Sequence, residues 1–359
     1  MYKFAEVIRH GGPECIRYME QMGVPSISPK QILVRIHAAA VNPVDTYIRE
    51  GGHPMSRSCP YVPGLDCGGE VLLVGKDVTE FKKGDRVFSC GSVSGTYATH
   101  GVFTADQLFR LPEYFTFKDG ACIGTGYFTS LYALQCAHAI GNSCIFVHGG
   151  SGGVGSSLLK ILLSMREVKS ECKNMKIIAS CSRSDAERKL KEMGVDIVVD
   201  RSQSNYMDQV HNANDGKGPD VIFEMLANIN LPKDLEVLNK GGEVIVIGDR
   251  GPVTINPRVM MEKGTSVKGV MLFNQTAQQR QEALNLFYEL ADAYHSMMRP
   301  LISYEYSLKD ADKAHIEVIN HKRAGCGRII INPDLLCVCE QSPFYCTAIK
   351  PFYSSAGEV

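Results

Sequence analysis

The sequence predicts an α/β protein made of two parts, a β-rich segment and a doubly wound parallel sheet. Residues 1–123 contain short apolar or alternating runs separated by Gly and Pro turns, which is typical of a barrel or sandwich. From about residue 124, short apolar runs alternate with stretches of helical length, which indicates βαβ units. A glycine-rich turn joins the first of these strands to the first helix.

The β-rich part is predicted to hold five strands. They are Tyr2–Arg9, Gln31–Ala38, Gly68–Val74, Arg86–Phe88 and Thr96–Phe103. Turn-forming sequences such as Gly11-Gly12-Pro13 and Pro63-Gly64 interrupt them. Asn42-Pro43 has the same chemistry, so we expect a loop there.

The second part is predicted to alternate strands with helices. The strands are Cys144–His148, Lys176–Cys181, Ile197–Asp200, Asp220–Glu224 and Glu243–Ile247, with Ser266–Val270 as a candidate sixth. The helices run from the glycine turn through Met165 and over Asp185–Met193, Tyr206–Ala213 and Pro232–Leu238. Beyond residue 272 we expect one long helix, Ala277–Ala293, and a strand, Arg328–Asn332.

Composition excludes several classes of protein. The 359 residues are 44% hydrophobic and 21% charged, which fits a globular protein of about two domains. A net charge of −1 gives no whole-chain attraction to nucleic acid or to an anionic membrane. No apolar stretch reaches the roughly 18 residues of a membrane span, and the N-terminus lacks the apolar core of a signal peptide. Thirteen cysteines, without CxxC pairs in residues 1–330, predict reduced thiols and a cytoplasmic location.

The glycine turn predicts a nucleotide site. Its sequence is Gly150-Ser151-Gly152-Gly153-Val154-Gly155, a GxGxxG match between a strand and a helix. In that context the first glycine permits a tight turn, the second lets the backbone approach a pyrophosphate, and the third lets the helix pack on the sheet. The helix N-terminus adds free N–H groups and a favourable dipole for phosphate.

The end of the second strand predicts which dinucleotide binds. A carboxylate there selects NAD, but this chain has Ser182 and Arg183 and no acid until Asp185. Serine and arginine can donate to a 2′-phosphate, which favours NADPH. The alternative is that Arg183 is a solvated residue at the start of the next helix.

Together these motifs resemble the zeta-crystallin family, NADPH:quinone reductases of the zinc-free branch of the medium-chain dehydrogenases/reductases. The resemblance covers residues 1–331 and is carried by Asn42-Pro43-Val44-Asp45-Thr46-Tyr47-Ile48-Arg49, the glycine turn, Glu224-Met225-Leu226-Ala227-Asn228-Ile229-Asn230-Leu231 and Ile255-Asn256-Pro257-Arg258. It implies a GroES-like catalytic domain (residues 1–123 and 272–335) with an inserted Rossmann domain (residues 124–271). Residues 336–359, with Cys337, Cys339 and Cys346, extend beyond the resemblance.

The resemblance also implies the cofactor contacts. The turn residues Gly150, Ser151, Gly152, Gly153, Val154 and Gly155 meet the pyrophosphate, Tyr47 reaches over the nicotinamide, and Ser182 and Arg201 lie at the adenosine end. Asn230, Ile247, Gly248, Asp249, Arg250, Val270, Met271 and Leu272 line the ribose and carboxamide. Met271 departs from the family, which tends to have threonine there.

A catalytic zinc is not expected. By resemblance, the zinc-dependent relatives have a ligand histidine in a Gly-His-Glu turn, where this chain has Gly64-Leu65-Asp66. Leucine cannot bind a metal, and Val41-Asn42-Pro43 offers no thiolate at the place of the first ligand. His53, His100 and Cys67 stand singly and are predicted to be structural.

The predicted activity is reduction of a quinone stacked on the nicotinamide. Without a metal, alcohol oxidation lacks its Lewis acid, whereas a quinone spreads incoming charge over its ring. Asn42, Tyr47 and Tyr127 are the candidate catalytic residues. The resemblance implies ortho-quinone preference, one-electron transfer as one route, and a homodimer or homotetramer. The alternatives are a 2-alkenal or enoyl reductase of the same superfamily, or binding of AU-rich RNA and a structural lens role.

Overall fold

The computed structural model describes residues 1–138, 141, 143–320 and 325–335. The predicted C-terminal extension and its three cysteines lie outside the described residues. Among the residues described, ten cysteines are free thiols, and nine of these are buried. No helix in the described ranges is both long enough and apolar enough to cross a membrane.

The described chain contains fifteen strands and nine α-helices. The strands are β1 Tyr2–Val7, β2 Ile16–Gln21, β3 Gln31–Val41, β4 Asp66–Val74, β5 Arg86–Ser89, β6 His100–Thr104, β7 Leu108–Arg110, β8 Cys144–Val147, β9 Lys176–Cys181, β10 Ile197–Asp200, β11 Val221–Glu224, β12 Glu243–Val246, β13 Ser266–Gly269, β14 Ile302–Ser307 and β15 Arg328–Asn332. The helices are α1 Pro43–Glu50, α2 Phe117–Cys136, α3 Gly153–Val168, α4 Ser184–Glu192, α5 Tyr206–Asn212, α6 Ala227–Val237, α7 Pro257–Lys263, α8 Ala277–Met298 and α9 Ala311–Asn320.

Six parallel strands form the sheet of the Rossmann part. Their order is β10-β9-β8-β11-β12-β13, which is the doubly wound arrangement. The central strands β8 and β11 are buried along their whole length, as expected for a sheet covered by helices on both faces. The prediction of a parallel sheet is confirmed, including its sixth strand.

A mixed sheet brings the two ends of the chain together. Its order is β14-β15-β3-β4-β5-β7, with β6 pairing to β3. Strand β15 pairs antiparallel with β3, with Ile329 opposite Val41 and Ile331 opposite Ala39. The N-terminal β-rich segment and the segment after the Rossmann sheet therefore share one sheet. The predicted fold class, a GroES-like part with an inserted Rossmann part, is confirmed.

Helix α2 links the two sheets and differs from the sequence prediction. It begins at the Thr116 cap, where Thr116 and Asp119 exchange side-chain and backbone hydrogen bonds, and it kinks at Gly124. The predicted boundary between residues 123 and 124 therefore falls inside a helix. Apolar residues lie on all sides of α2 because it is buried between the sheets, so it has no amphipathic stripe to recognise.

Aromatic side chains fill the junction of the two parts. Phe128 of α2 lies against Phe109 at a ring distance of 4.8 Å, and Phe287 of α8 lies 5.9 Å from Phe88. All four side chains are buried. This packing fixes how α2 and α8 stand against the mixed sheet, and it forms one wall of the cleft described next.

Candidate active site

The glycine turn lies at the carboxyl end of β8 and leads into α3. The left-handed residue is Gly149 (φ +57°), directly before the motif, so the prediction that Gly150 permits the tight turn is corrected. Gly150 is needed for space instead, because a Cβ there would lie 2.9 Å from both Ala179 Cβ and Leu159 Cδ1. A Cβ on Gly155 would lie 2.3 Å from the Gly149 carbonyl oxygen. The glycines thus let strand, turn and helix pack at contact distance.

The start of α3 presents unpaired amides. Its first backbone hydrogen bond runs from the Ser156 N–H to the Gly152 carbonyl. The N–H groups of residues 153–155 consequently have no partner within the helix. Gly152 is the cap and offers no side chain, so nothing from the cap competes for these donors. Free amides at a helix N-terminus are the donors expected of a phosphate site.

Three predicted adenosine contacts share one edge of the Rossmann sheet. Ser182 and Arg183 follow β9 and are exposed, as is Arg201, which follows β10. The Arg201 N–H donates to the Cys181 carbonyl at 2.8 Å, which ties the two strand ends together. The Arg183 guanidinium donates through Nε and Nη2 to the two oxygens of Asp185, at 2.9 and 3.2 Å. Sequence reasoning did not anticipate this pairing.

The remaining predicted cofactor segments also follow parallel strands. Asn230 lies on α6 after β11, the segment Ile247, Gly248, Asp249 and Arg250 follows β12, and Val270, Met271 and Leu272 follow β13. The Ala227 N–H donates to the Gly248 carbonyl at 3.0 Å, and the Arg250 N–H donates to Asn228 Oδ1 at 2.9 Å. Val270 is buried, whereas Met271 is 53% exposed. The structure therefore brings these segments to the edge where ligands of such sheets bind.

A cleft opens beside Leu272. Cys90, Phe128, Leu272, Phe273, Gln275 and Arg280 line it. Arg280 Nη2 donates to the Cys90 carbonyl at 3.3 Å, and its guanidinium lies 5.2 Å from the centre of the Phe109 ring. The cleft thus combines aromatic walls with one cation. Of its lining residues only Leu272 was predicted, because the others come from distant parts of the chain that no motif spacing connects.

Tyr47 and Asn42 belong to α1, where a loop was expected. The Asn42 N–H donates to Asp45 Oδ2 at 2.8 Å and caps the helix. The Asn42 side chain is buried, donating to Asp66 Oδ2 at 3.0 Å and accepting from Arg328 Nη2 at 2.7 Å. Its amide therefore has a structural task, which corrects its assignment as a substrate contact. Tyr47 is half-buried, and no hydrogen bond joins its hydroxyl to another described residue.

Tyr127 cannot contact a substrate in this structure. Its side chain is fully buried, and its hydroxyl donates to the Met298 carbonyl at 2.6 Å. Burial also raises the pKa of this phenol well above its usual value. The prediction that Tyr127 is catalytic is wrong, because α2 turns its ring into the core.

The residues at the place of a catalytic zinc do not fit the metal. Leu65 is buried and apolar, and both ends of the Asn42 amide are hydrogen-bonded. Cys67 is fully buried beside Ser89, and burial raises the pKa of its thiol to about 12, which opposes the thiolate that zinc requires. No step of the chemistry is therefore assigned to a metal here.

A GroES-like sheet, an inserted Rossmann sheet and a glycine turn at their junction define a medium-chain dehydrogenase/reductase. Two family models match accordingly. The alcohol dehydrogenase GroES-like domain matches residues 28–113, and the zinc-binding dehydrogenase family matches residues 170–289. The protein is an oxidoreductase.

Relatives narrow the class. A quinone oxidoreductase of Sus scrofa is 39% identical over 333 residues, which cover 90% of this chain and 96% of that protein. The quinone oxidoreductase of Homo sapiens is 36% identical over 337 residues, covering 92% and 98%. The crystal structure of Escherichia coli quinone oxidoreductase complexed with NADPH matches with a TM-score of 0.80 at 25% identity, covering 92% of this chain and all of that one. The chain belongs to the quinone oxidoreductase family.

Proposed function

We propose that the protein is a metal-independent, NADPH-dependent quinone reductase. The observation that carries the proposal is the meeting of two features at one edge. Free amides of α3 and three phosphate donors lie at the carboxyl ends of β8, β9 and β10, and an aromatic cleft lies after β13. The quinone oxidoreductase relatives and the NADPH complex of the E. coli protein support the same assignment.

The residues at this edge hold the cofactor in our proposal. The amides of residues 153–155 bind the pyrophosphate, and Ser182, Arg183 and Arg201 neutralise the 2′-phosphate of the adenosine. When bound, NADPH supplies the reducing equivalents. Arg183 must break its two hydrogen bonds to Asp185 before it can bind the phosphate. Its guanidinium therefore exchanges the carboxylate for the phosphate as its anionic partner.

The cleft orients the quinone. Phe273, which is exposed, provides the apolar face that stacks an aromatic ring and excludes water, and the buried Phe128 supports the cleft from beneath. Arg280 lines the cleft and offsets negative charge that develops on the quinone oxygens. The Tyr47 hydroxyl is the donor that we assign to one quinone oxygen. Ortho-quinone preference is part of the proposal and rests on the resemblance alone.

A substrate panel tests the proposal. We expect the oxidation of NADPH, followed by its absorbance at 340 nm, to be fast with 9,10-phenanthrenequinone and slower with a para-quinone, and we expect an alcohol not to reduce NADP⁺. Addition of EDTA should leave the rate unchanged. Activity with a 2-alkenal but not with any quinone would contradict the proposal and favour the alkenal reductase alternative. Spin trapping during turnover separates one-electron transfer from hydride transfer.

We further propose that the protein acts in the cytoplasm as a homo-oligomer of two or four copies. Strand β13 supports the proposed oligomer, because it is the edge strand of the Rossmann sheet and most of its residues are exposed. Light scattering after size exclusion gives the mass directly. A monomer at micromolar concentration would contradict this part of the proposal without affecting the predicted activity.

A further inference from the structure

Three buried titratable side chains lie directly behind the carboxyl ends of the parallel strands, where we propose that the cofactor binds. They are His148, which precedes the glycine turn, Glu224, which ends β11, and Asp234 of α6. His148 is 4% exposed, and the two acids are fully buried. His148 Nε2 lies 2.8 Å from Asp234 Oδ1 and 3.1 Å from Glu224 Oε2. No role for these residues follows from the glycine turn or from the cleft.

The cluster must hold at least one proton among its three groups. Asp234 Oδ2 and Glu224 Oε2 accept no hydrogen bond from the described residues, although both are buried. Two ionised carboxylates at this depth would repel each other and lack water. Burial accordingly raises the pKa of both acids to about 7 and lowers that of His148 to about 4. A bound cation would be the other way to balance the charge, but 2.8 Å is a hydrogen-bond length and the described cluster offers only three ligand atoms.

Glu224 joins this cluster to two cofactor segments. Its Oε1 accepts from the Leu226 N–H and from Asn230 Nδ2, the latter at 3.1 Å. Its backbone carbonyl accepts from the Ile247 N–H at 2.8 Å. On its other side, the His148 N–H donates to the Phe223 carbonyl at 3.0 Å, next to the glycine turn. The Glu224 carboxyl group thus contacts α6 and the cluster behind the turn, and its backbone carbonyl contacts the segment after β12.

We propose that Glu224, held in place by His148 and Asp234, is a positioning residue that aims the Asn230 amide at the bound dinucleotide. Because Oε1 takes one Nδ2 hydrogen, the amide has a single orientation, and its oxygen and second hydrogen are left for the cofactor. The shared proton keeps the carboxyl group in place without an uncompensated charge. This inference rests on the proposed function only in that a nicotinamide dinucleotide binds at this edge.

Removal of the carboxyl group tests the inference. We expect Glu224→Ala to raise the dissociation constant of NADPH about tenfold, the worth of one good hydrogen bond. Asn230→Ala should have the same effect, and the double variant should lose no more than either single variant. Glu224→Gln keeps the acceptor oxygen and should bind NADPH within about twofold of the wild type. The dissociation constants are measured by titrating the fluorescence of the bound nicotinamide.

A matched control is available on the next strand. Glu243 begins β12, is also buried and also pairs with a histidine, His138, at 2.9 Å, but it lies at the opposite edge of the sheet. Glu243→Gln should therefore lower the melting temperature without changing NADPH affinity. If Glu224→Ala does not fold, Asn230→Asp replaces it. The new carboxylate faces Glu224 and should abolish binding, and Glu224→Gln should restore binding in that background.

The outcomes separate the two proposals. A folded Glu224→Ala variant with wild-type NADPH affinity, or fully additive losses in the double variant, would overturn the positioning role. Failure of the wild type to bind NADPH or NADH would contradict the proposed function instead. A stoichiometric metal in the purified wild type that Glu224→Ala loses would overturn the shared proton and identify a metal site.

Discussion

Arg328 Nη2 lies 3.1 Å from Asp66 Oδ2, and both side chains are almost completely buried. The Asp66 carboxylate also accepts from the Asn42 amide at 3.0 Å and from the Thr125 hydroxyl at 2.8 Å. The guanidinium packs against α3, since a Cβ on Gly153 would lie 2.8 Å from Arg328 Nη1. This single pair therefore joins β4, β15, α1 and α2 beneath the glycine turn.

Loss of the arginine should be costly. Arg328→Met leaves Asp66 buried without its cation, and we expect the free energy of unfolding to fall by about 3–5 kcal/mol. The control is Arg188→Met, which removes an ion pair to Glu192 whose side chains are 73% and 67% exposed. Its effect should stay within about 0.5 kcal/mol. Urea unfolding followed by circular dichroism measures both, and equal effects would contradict the importance assigned to the buried pair.

Substitution of two glycines in the turn should have different effects, one on stability and the other on cofactor affinity. A Cβ on Gly155 would lie 2.3 Å from the Gly149 carbonyl oxygen, a backbone atom that cannot move aside. We expect Gly155→Ala to cost about 1–3 kcal/mol of stability. Gly152→Ala meets the same oxygen at 3.3 Å, so it should fold and lose chiefly cofactor affinity. Gly52→Ala, with nothing within 4 Å, is the control. The order of the unfolding midpoints checks the prediction.

The elements that could be predicted from sequence are those with a local signal. The bounds of β9, β10 and β15 are those predicted, because each is an apolar run with polar or glycine residues on both sides. Strand β2 was missed since its residues are mostly exposed and lack a clear alternation of apolar and polar residues. Helix α6 begins at Ala227 rather than at Pro232, because Glu224 accepts the Leu226 N–H at the helix entry. That contact depends on a side chain whose orientation the sequence does not give.

The same distinction between local signals and tertiary contacts applies to the candidate site. The glycine turn and the ends of the parallel strands follow from one motif and one topology, so most cofactor segments could be named in advance. The cleft could not, since Cys90 and Arg280 meet across 190 residues of sequence. Nor could the tasks of Asn42 and Tyr127, whose polar atoms bond to Arg328 and to the Met298 carbonyl. Such partners are determined by tertiary packing.

Arg183 should control discrimination between NADPH and NADH. Its fork is bidentate to Asp185, so a 2′-phosphate competes with that carboxylate. We expect Arg183→Ala to raise KM for NADPH about tenfold and to leave KM for NADH unchanged, since only NADPH carries the second anion. Asp185→Asn should lower KM for NADPH because it removes the competitor. Steady-state kinetics with both cofactors measures these changes.

The control for this pair is Arg188→Ala, which removes an exposed guanidinium from the same helix, α4. It should leave both KM values unchanged at 0.15 M salt, where surface charges are screened. An equal rise in KM for NADPH in both arginine variants would point to general electrostatic attraction and contradict a specific phosphate contact.

His315 should make the protein sensitive to acid. Arg49 Nη1 donates to its Nδ1 at 3.1 Å, and the ring then donates through Nε2 to the Tyr97 hydroxyl, also at 3.1 Å. Burial lowers the pKa of His315 from 6.5 to about 3, because its neutral form is required in the core. Unfolded chains bind this proton below pH 6.5 and folded chains do not, so stability is present above pH 6.5 and is lost as the pH falls.

A histidine variant isolates this contribution. Gln can accept from Arg49 and donate to Tyr97 but does not titrate, so His315→Gln should remove a loss of about 1.4 kcal/mol per pH unit below 6.5. The Asp45 carboxyl accepts a hydrogen bond from Tyr97 at 3.2 Å, and burial raises its pKa to about 7. Its protonation therefore changes stability with pH in the opposite direction, and it does so equally in the wild type and in the variant. The measured quantity is therefore the difference in unfolding free energy between wild type and variant at pH 7.5, 6.5 and 5.5. The stability advantage of the wild type should narrow between pH 6.5 and 5.5. A constant difference would show that the folded chain protonates His315 as readily as the unfolded chain does.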